Sequence, residues 1–150
     1  MESGVKMLLE ELKKAMKRGA KVRILTGNYL GVTQPSALYL IKHELGELVD
    51  LRFYNEKNRS FHPKSYIFHY ADHSEIYIGS SNISRSALTS GIEWNYRFSS
   101  HRDPENYEKF YRTFEDLFQN HSVVIDDKEL KRYSKTWHRP AASKDLDRYD

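Results

Sequence analysis

The sequence predicts a mixed α/β domain, and three observations carry that expectation. The N-terminal part alternates two helix-like with two strand-like segments, an order that implies a right-handed crossover and neighbouring parallel strands. The middle reads as a β-hairpin followed by a further strand, which adds antiparallel pairing and makes the sheet mixed. The composition, 150 residues of which 39% are hydrophobic and 30% charged, is that of one soluble globular unit. A chain of this length buries ~70% of its unfolded surface, so the core needs no staple. The absence of Cys rules out both a disulfide framework and a thiolate zinc site.

Residues 3–18 place Val5, Leu8, Leu9, Leu12, Ala15 and Met16 at helical spacing, with Lys13, Lys14, Lys17 and Arg18 on the opposite face. Ser3 is the expected cap and Gly19 the expected stop. Residues 21–26 read as a strand, 27–35 as a loop, 36–45 as a helix opened by Pro35, and 49–54 as a second strand. After the polar loop 55–60, residues 62–70 alternate as a strand, 71–74 turn, and 75–78 return. A short helix is expected from Ser81-Asn82 to about Leu88, then a strand over 91–98. Asp103-Pro104 opens an amphipathic helix whose expected buried side is Tyr107, Phe110, Tyr111, Phe114, Leu117 and Phe118. Residues 122–125 read as an edge strand and 127–133 as a last helix. The domain is therefore expected to span 1–134, with 135–150 as a polar tail or the start of a linker.

A net charge of +3 and a pI near 9.0 lean toward polyanions without deciding the partner. No run approaches the ~18 apolar residues of a spanning helix, and the N-terminus lacks the basic-then-apolar order of a signal peptide. The expectation is a cytoplasmic protein with no membrane partner.

His43, His101, His121 and His138 sit in polar contexts that suit a solvated surface. His62 has different company. On a strand His62 and Lys64 are two apart and emerge from one face. Hairpin pairing returns Gly79, Ser80, Ser81 and Asn82 beside them, at the start of a helix whose backbone N–H groups can face an anion. Imidazole, ammonium, hydroxyl and amide together, with no carboxylate cluster to hold a metal, suit phosphoryl transfer, whose transition-state charge is stabilised by Lys and neutral donors. A neutral His is a competent nucleophile toward phosphorus. Glu93, on the next strand, could accept the other ring N–H and fix the tautomer. Arg85 suits either a phosphate contact or an exposed helix position. Lys57 and Arg59 suit either a polyanion contact or a solvated loop, and Tyr66 and Tyr77 suit the core or a partner subunit better than stacking on bases.

The set His62, Lys64, Gly79, Ser80, Asn82 and Glu93 resembles the H-x-K, G-S-x-N and trailing Glu of the phospholipase D superfamily. The stretches LTGNYLGVTQPSAL, DLRFYN, FHPKSYIF and IGSSNISRSALTSGIEWN are similar to the phospholipase D-like nuclease domain at the N-terminus of bacterial DEAD/DEAH-box helicases and in some restriction enzymes. The resemblance covers roughly residues 3–118. It implies a mixed sheet flanked by helices on both faces, with no cofactor and no metal. Two departures accompany it. The family's Asp stands five residues after the Lys, where this chain has His69; Asp72, in a longer turn, is the candidate equivalent, with a structural role. Relatives also begin with a strand ahead of the first helix, so the expected fold lacks the family's first strand.

The resemblance further implies two His-Lys sets per active site. One set per chain then implies a homodimer joined through its active-site face, in which one His62 attacks phosphorus and the other acts as acid and base. Lys64, Ser80, Ser81 and Asn82 would hold the phosphate. The functional expectation is a metal-independent phosphodiesterase, a DNA nuclease module acting through a phosphohistidine, with a helicase domain in the same parent chain. The alternative is a weakly active or inactive DNA-binding module accessory to a helicase or restriction system. A phospholipase is less favoured, since no signal or apolar entrance helix is visible.

Overall fold

A computed structural model describes residues 1–28 and 31–139. Strands β1 (Val22–Gly27) and β2 (Val49–Tyr54) pair in parallel, from Val22 opposite Val49 to Gly27 opposite Tyr54. The short β6 (Ser122–Val124) closes the other edge of β2 antiparallel. The crossover between β1 and β2 is α2 (Pro35–Leu45), with Pro35 in the first turn as expected.

Side chains alternate along β2, and the two faces are dressed differently. Val49, Leu51 and Phe53 are buried in one core with Val5 and Leu9 of α1 (Glu2–Lys17), Ala37, Leu38 and Ile41 of α2, and Leu130 and Tyr133 of α5 (Asp127–Thr136). Each large side chain fully buried there stabilises the fold by ~1.5–3 kcal/mol. The opposite face carries Asp50 and Arg52. The Arg52 guanidinium holds both Asp50 oxygens at 2.9 Å and lies 4.3 Å over the Phe118 ring of α4 (Pro104–Asn120). Helices thus flank this sheet on both faces.

Strands β3 (Ser65–His69), β4 (Ser74–Gly79) and β5 (Asn95–Ser99) form a second, wholly antiparallel sheet in that order. The mixed α/β class holds, but the strands divide into two three-stranded sheets instead of one. Between β2 and β3 the chain passes through the exposed polar run 55–60 and then Pro63, which has no N–H for a ladder. Helix α4 bridges the two, with Phe118 and Arg52 at one end and Phe110 against Phe98 of β5 at the other.

Several element limits move for identifiable reasons. Helix α1 begins at Glu2, so Ser3 lies inside its first turn and is not the cap. Helix α3 (Arg85–Thr89) starts only after Ser84, whose hydroxyl caps it by accepting from the Ala87 N–H at 3.3 Å. Of the six residues expected on the buried side of α4 only Phe118 is fully buried. Phe110 is 45% exposed, because the helix spans two small sheets and is covered by neither along its whole length. Helix α5 is capped by Asp126 and runs to Thr136, three residues beyond expectation. The Trp137 indole N–H then donates to the Gly31 carbonyl at 2.6 Å, which ties that end of the chain to the loop before α2. Of the expected tail, residues 140–150 lie outside the described residues.

Candidate active site

The site sits at the end of the second sheet where β4 stops. The Gly79 N–H donates to the Lys64 carbonyl at 3.2 Å, so Lys64 continues the β3–β4 ladder one residue beyond β3. The ladder goes no further: its next hydrogen-bonding position would set His62 opposite Ser81, whose carbonyl accepts from the Tyr66 hydroxyl instead. His62 is therefore not on the strand, as the alternation had suggested, but on the exposed segment leading into it. Its neighbour Phe61 stacks on Tyr54 at the end of β2, centroids 4.9 Å apart, and lies against Gly27 at the end of β1, where a Cβ would come within 3.2 Å of it. Phe61 is anchored on the first sheet and Lys64 on the second, so His62 spans the junction between them. The Lys64 ammonium donates to the His62 carbonyl at 2.9 Å.

Residues Ser80 and Ser81 hook this end onto β5. The Ser80 N–H donates to the Trp94 carbonyl at 3.0 Å, the Trp94 N–H donates to Ser80 Oγ at 3.1 Å, and that hydroxyl donates in turn to the Glu93 carboxylate. Ser81 is buried; its Oγ accepts from Asn95 Nδ2 at 2.7 Å and its carbonyl from the Tyr66 hydroxyl at 2.9 Å. Burial, and then the nearby Glu93 charge, push the Tyr66 phenol above its ordinary pKa, so it stays a neutral donor. Such close approach requires Gly79, because a Cβ there would run into the Trp94 carbonyl and the Asn95 side chain.

Asn82 is exposed, and its carbonyl accepts from the Ser84 N–H at 2.9 Å. The backbone of 83–84 rests on Gly4 of α1, where a Cβ would meet it at 2.5 Å, so α1 braces the loop that carries Asn82. The helix expected to open at Ser81-Asn82 opens at Arg85 instead, and its first turn is turned toward the Ser84 cap. The anion donors of this site are therefore side chains and not that helix end. Arg85 is exposed on α3.

Lys57 and Arg59 line a cleft at the ends of β1 and β2, together with Asn28, Asn55 and Glu56 and walled by Phe61. Phe61, which walls the cleft, immediately precedes His62 in the chain. Asp72 lies at the opposite end of the hairpin, in the turn after β3, where its carboxylate meets His73 Nδ1 at 2.7 Å. That pair holds the Asp72 carboxyl below, and the His73 imidazole above, their ordinary values. Its place sets it apart from the other candidate residues, which lie at the opposite end of the hairpin.

Three contributors were not foreseen: Asn95, Tyr66 as a donor to the Ser81 carbonyl, and the Trp94 backbone. The signal for Asn95 was available, since it stands two residues after Glu93 and shares its side of the extended chain. Among the described residues no three His, Asp or Glu side chains converge as a metal would require. No helix among them is long and apolar enough to cross a membrane.

The residues that carry an imidazole, an ammonium, a hydroxyl-bound carboxylate and an exposed amide thus lie toward one end of the second sheet. No curated protein matches the chain. A family does: the one described as cardiolipin synthase, PLD-like domain, over residues 4–122, a span that runs from α1 to the first residue of β6 and contains every residue of the site. The chain belongs to the phospholipase D superfamily, as a PLD-like domain.

Proposed function

We propose that this domain is a metal-independent DNA nuclease module that works through a phosphohistidine at His62, in a homodimer that brings two copies of the site together. The observation that supports it is the setting of His62: an exposed imidazole between the basic cleft of Lys57 and Arg59 on one side and Lys64, Ser80 and Glu93 on the other. A polyanion drawn into the cleft reaches the nucleophile by following the chain.

In the first step a neutral His62 nitrogen forms a bond to phosphorus and one P–O ester bond breaks. The electron pair leaves with the oxygen, which takes a proton from the imidazolium of the second copy's His62. In the second step that now neutral imidazole takes a proton from water, the water oxygen bonds to phosphorus, and the P–N bond breaks. Lys64 and the Asn82 amide of both copies hold the phosphate oxygens, with Ser81 and Arg85 at the margin. Ser80 fixes Glu93, and Glu93 orients the attacking ring; both are positioning residues. The parent protein would use the module beside a helicase domain or within a restriction system.

A second reading is a DNA-binding module that does not cleave. It is favoured by one observation, that the Lys64 ammonium gives one of its three donors to the His62 carbonyl, which turns it toward the backbone of its own segment.

Cleavage assays on DNA and on phosphatidylcholine, each with and without EDTA, separate these readings. The expected result is DNA cleavage that EDTA leaves intact, with no choline released, because the proposed charge stabilisation comes from Lys and amide donors. Activity that vanishes in chelator and returns with Mg²⁺ contradicts the mechanism. Choline release makes the substrate a lipid, and DNA binding without cleavage makes the binding-module reading correct.

A further inference from the structure

The second sheet sets its residues in cross-strand rows, and successive rows on one face are two residues, ~6.6 Å, apart. The row at the site is Lys64, Gly79 and Asn95, since Lys64 continues the ladder opposite Gly79 and Gly79 pairs with Asn95. Next on the same face come Tyr66, Tyr77 and Arg97, and then Phe68, Glu75 and Ser99. The residues between them face the other way, where Ile76 and Phe98 are buried and Phe98 lies 5.4 Å from Phe110 of α4. The face that carries Lys64 is open instead. Phe68 is 46% exposed and the Arg97 side chain 58%.

We propose that this face is a track for single-stranded DNA, on which Arg97 holds a backbone phosphate next to the site and Phe68 stacks a base beyond it. The proposal rests on the nuclease reading above and deepens it by naming the form of the substrate. Three features favour this occupant. The face is continuous with the site: the Tyr66 hydroxyl donates to the Ser81 carbonyl at 2.9 Å and Asn95 Nδ2 to Ser81 Oγ at 2.7 Å, so rows and site form one body. It offers a fixed ring, because Phe68 stands edge-on to Tyr77 with centroids 5.8 Å apart and nearly half its surface in solvent. It also offers a cation. Glu75, the one acid in these rows, is answered by the Tyr77 hydroxyl at 3.4 Å, by His73 Nε2 at 3.6 Å and by Arg97 at 3.9 Å. At that distance the exposed guanidinium keeps donors of its planar fork for a phosphate. Bases in a duplex are stacked on each other, and only an unpaired strand can lay one on a protein ring.

Fluorescence anisotropy tests this with a labelled oligonucleotide, single-stranded or as a blunt duplex of the same sequence, in a His62→Ala background that leaves the DNA intact. The single strand should bind more tightly than the duplex. Phe68→Ala should weaken that binding ~5–100-fold, the loss of one stacked base. Arg97→Gln should lower the slope of log affinity against log salt by ~0.7, one phosphate on a single strand. Tyr96→Ala, beside Arg97 but on the opposite face, should bind like the background protein. Should Phe68→Ala fail to fold by circular dichroism, Phe68→Leu decides, since it keeps the apolar bulk and removes the ring. With His62 restored, the Phe68 and Arg97 variants should hydrolyse methyl p-nitrophenyl phosphate, a diester too short to reach either residue, at the parent rate while KM for single-stranded DNA rises. Preference for the duplex, Phe68 and Arg97 variants that bind like the background, or a loss confined to Tyr96→Ala overturns the track. A parent that hydrolyses neither DNA nor the small diester overturns the nuclease reading, and the anisotropy series still decides the track.

Discussion

His62→Ala is expected to abolish DNA cleavage while leaving DNA binding close to the parent level. The imidazole is proposed to make and break the bond to phosphorus. Loss of one acid–base group costs ~10²–10⁴-fold, and here the same residue is also the nucleophile. Ground-state attraction comes from elsewhere, from Lys64, Asn82 and the basic cleft. The substitution should also fold, because His62 is exposed and its neighbours Phe61 and Lys64 are anchored independently on the two sheets. Single-turnover cleavage and a gel-shift titration on the same preparation check both halves. Cleavage at the parent rate would remove this pocket from the chemistry altogether.

Gly79→Ala is expected to have the largest effect among conservative substitutions in the second sheet. The new methyl group would meet the Trp94 carbonyl and the Asn95 side chain, and backbone cannot yield as the tip of a long side chain can. The strands must part at Ser80, giving up the two hydrogen bonds between Ser80 and Trp94. Overpacking costs ~1–3 kcal/mol and each lost hydrogen bond ~1 kcal/mol. At ~2–4 °C per kcal/mol for a chain of this size, a fall in Tm of about 6–20 °C follows. Glu93, held by Ser80, would shift with it, so kcat should fall more than the affinity for DNA. Gly79 is not among the glycines of positive φ, so the effect comes from crowding and not from backbone strain. Thermal melts paired with cleavage rates provide the check; an alanine variant that melts and cleaves like the parent would mean the close approach of β5 is unnecessary.

Much of this arrangement was legible in the residues, and what was not has physical causes. Period and punctuation located each described α-helix and strand, though not the 3₁₀ turn Gly46–Leu48, because Pro35, Asp103-Pro104 and the alternation of 62–70 and 75–78 are local signals. The spacing of His62, Lys64, Gly79 and Ser80 pointed to a shared site because hairpin pairing is itself local. The failures are non-local. Alternation alone ran the strand through His62, whereas the ladder ends at Lys64, since the Ser81 carbonyl that His62 would face is bonded by the Tyr66 hydroxyl, and His62 is left on the segment between the sheets. The apolar stripe of α4 looked uniformly buried, yet burial depends on how much sheet lies beneath it, and Phe110 has little. The bond from Asn95 to Ser81 and the rest of Ile83–Ser84 on Gly4 join residues far apart in the chain, and no periodicity announces them.

The central claim is a covalent step at His62, and the measurement that tests it most directly is acid-sensitive trapping of the adduct. DNA labelled at the scissile phosphate, mixed with the parent protein and denatured in alkali during turnover, should leave a protein-linked strand whose label maps to the peptide containing His62. Brief acid treatment should release it, and the His62→Ala protein should form none. A label stable to acid on Ser80 or Ser81, or rapid cleavage with no protein-linked DNA at any time, would contradict the account.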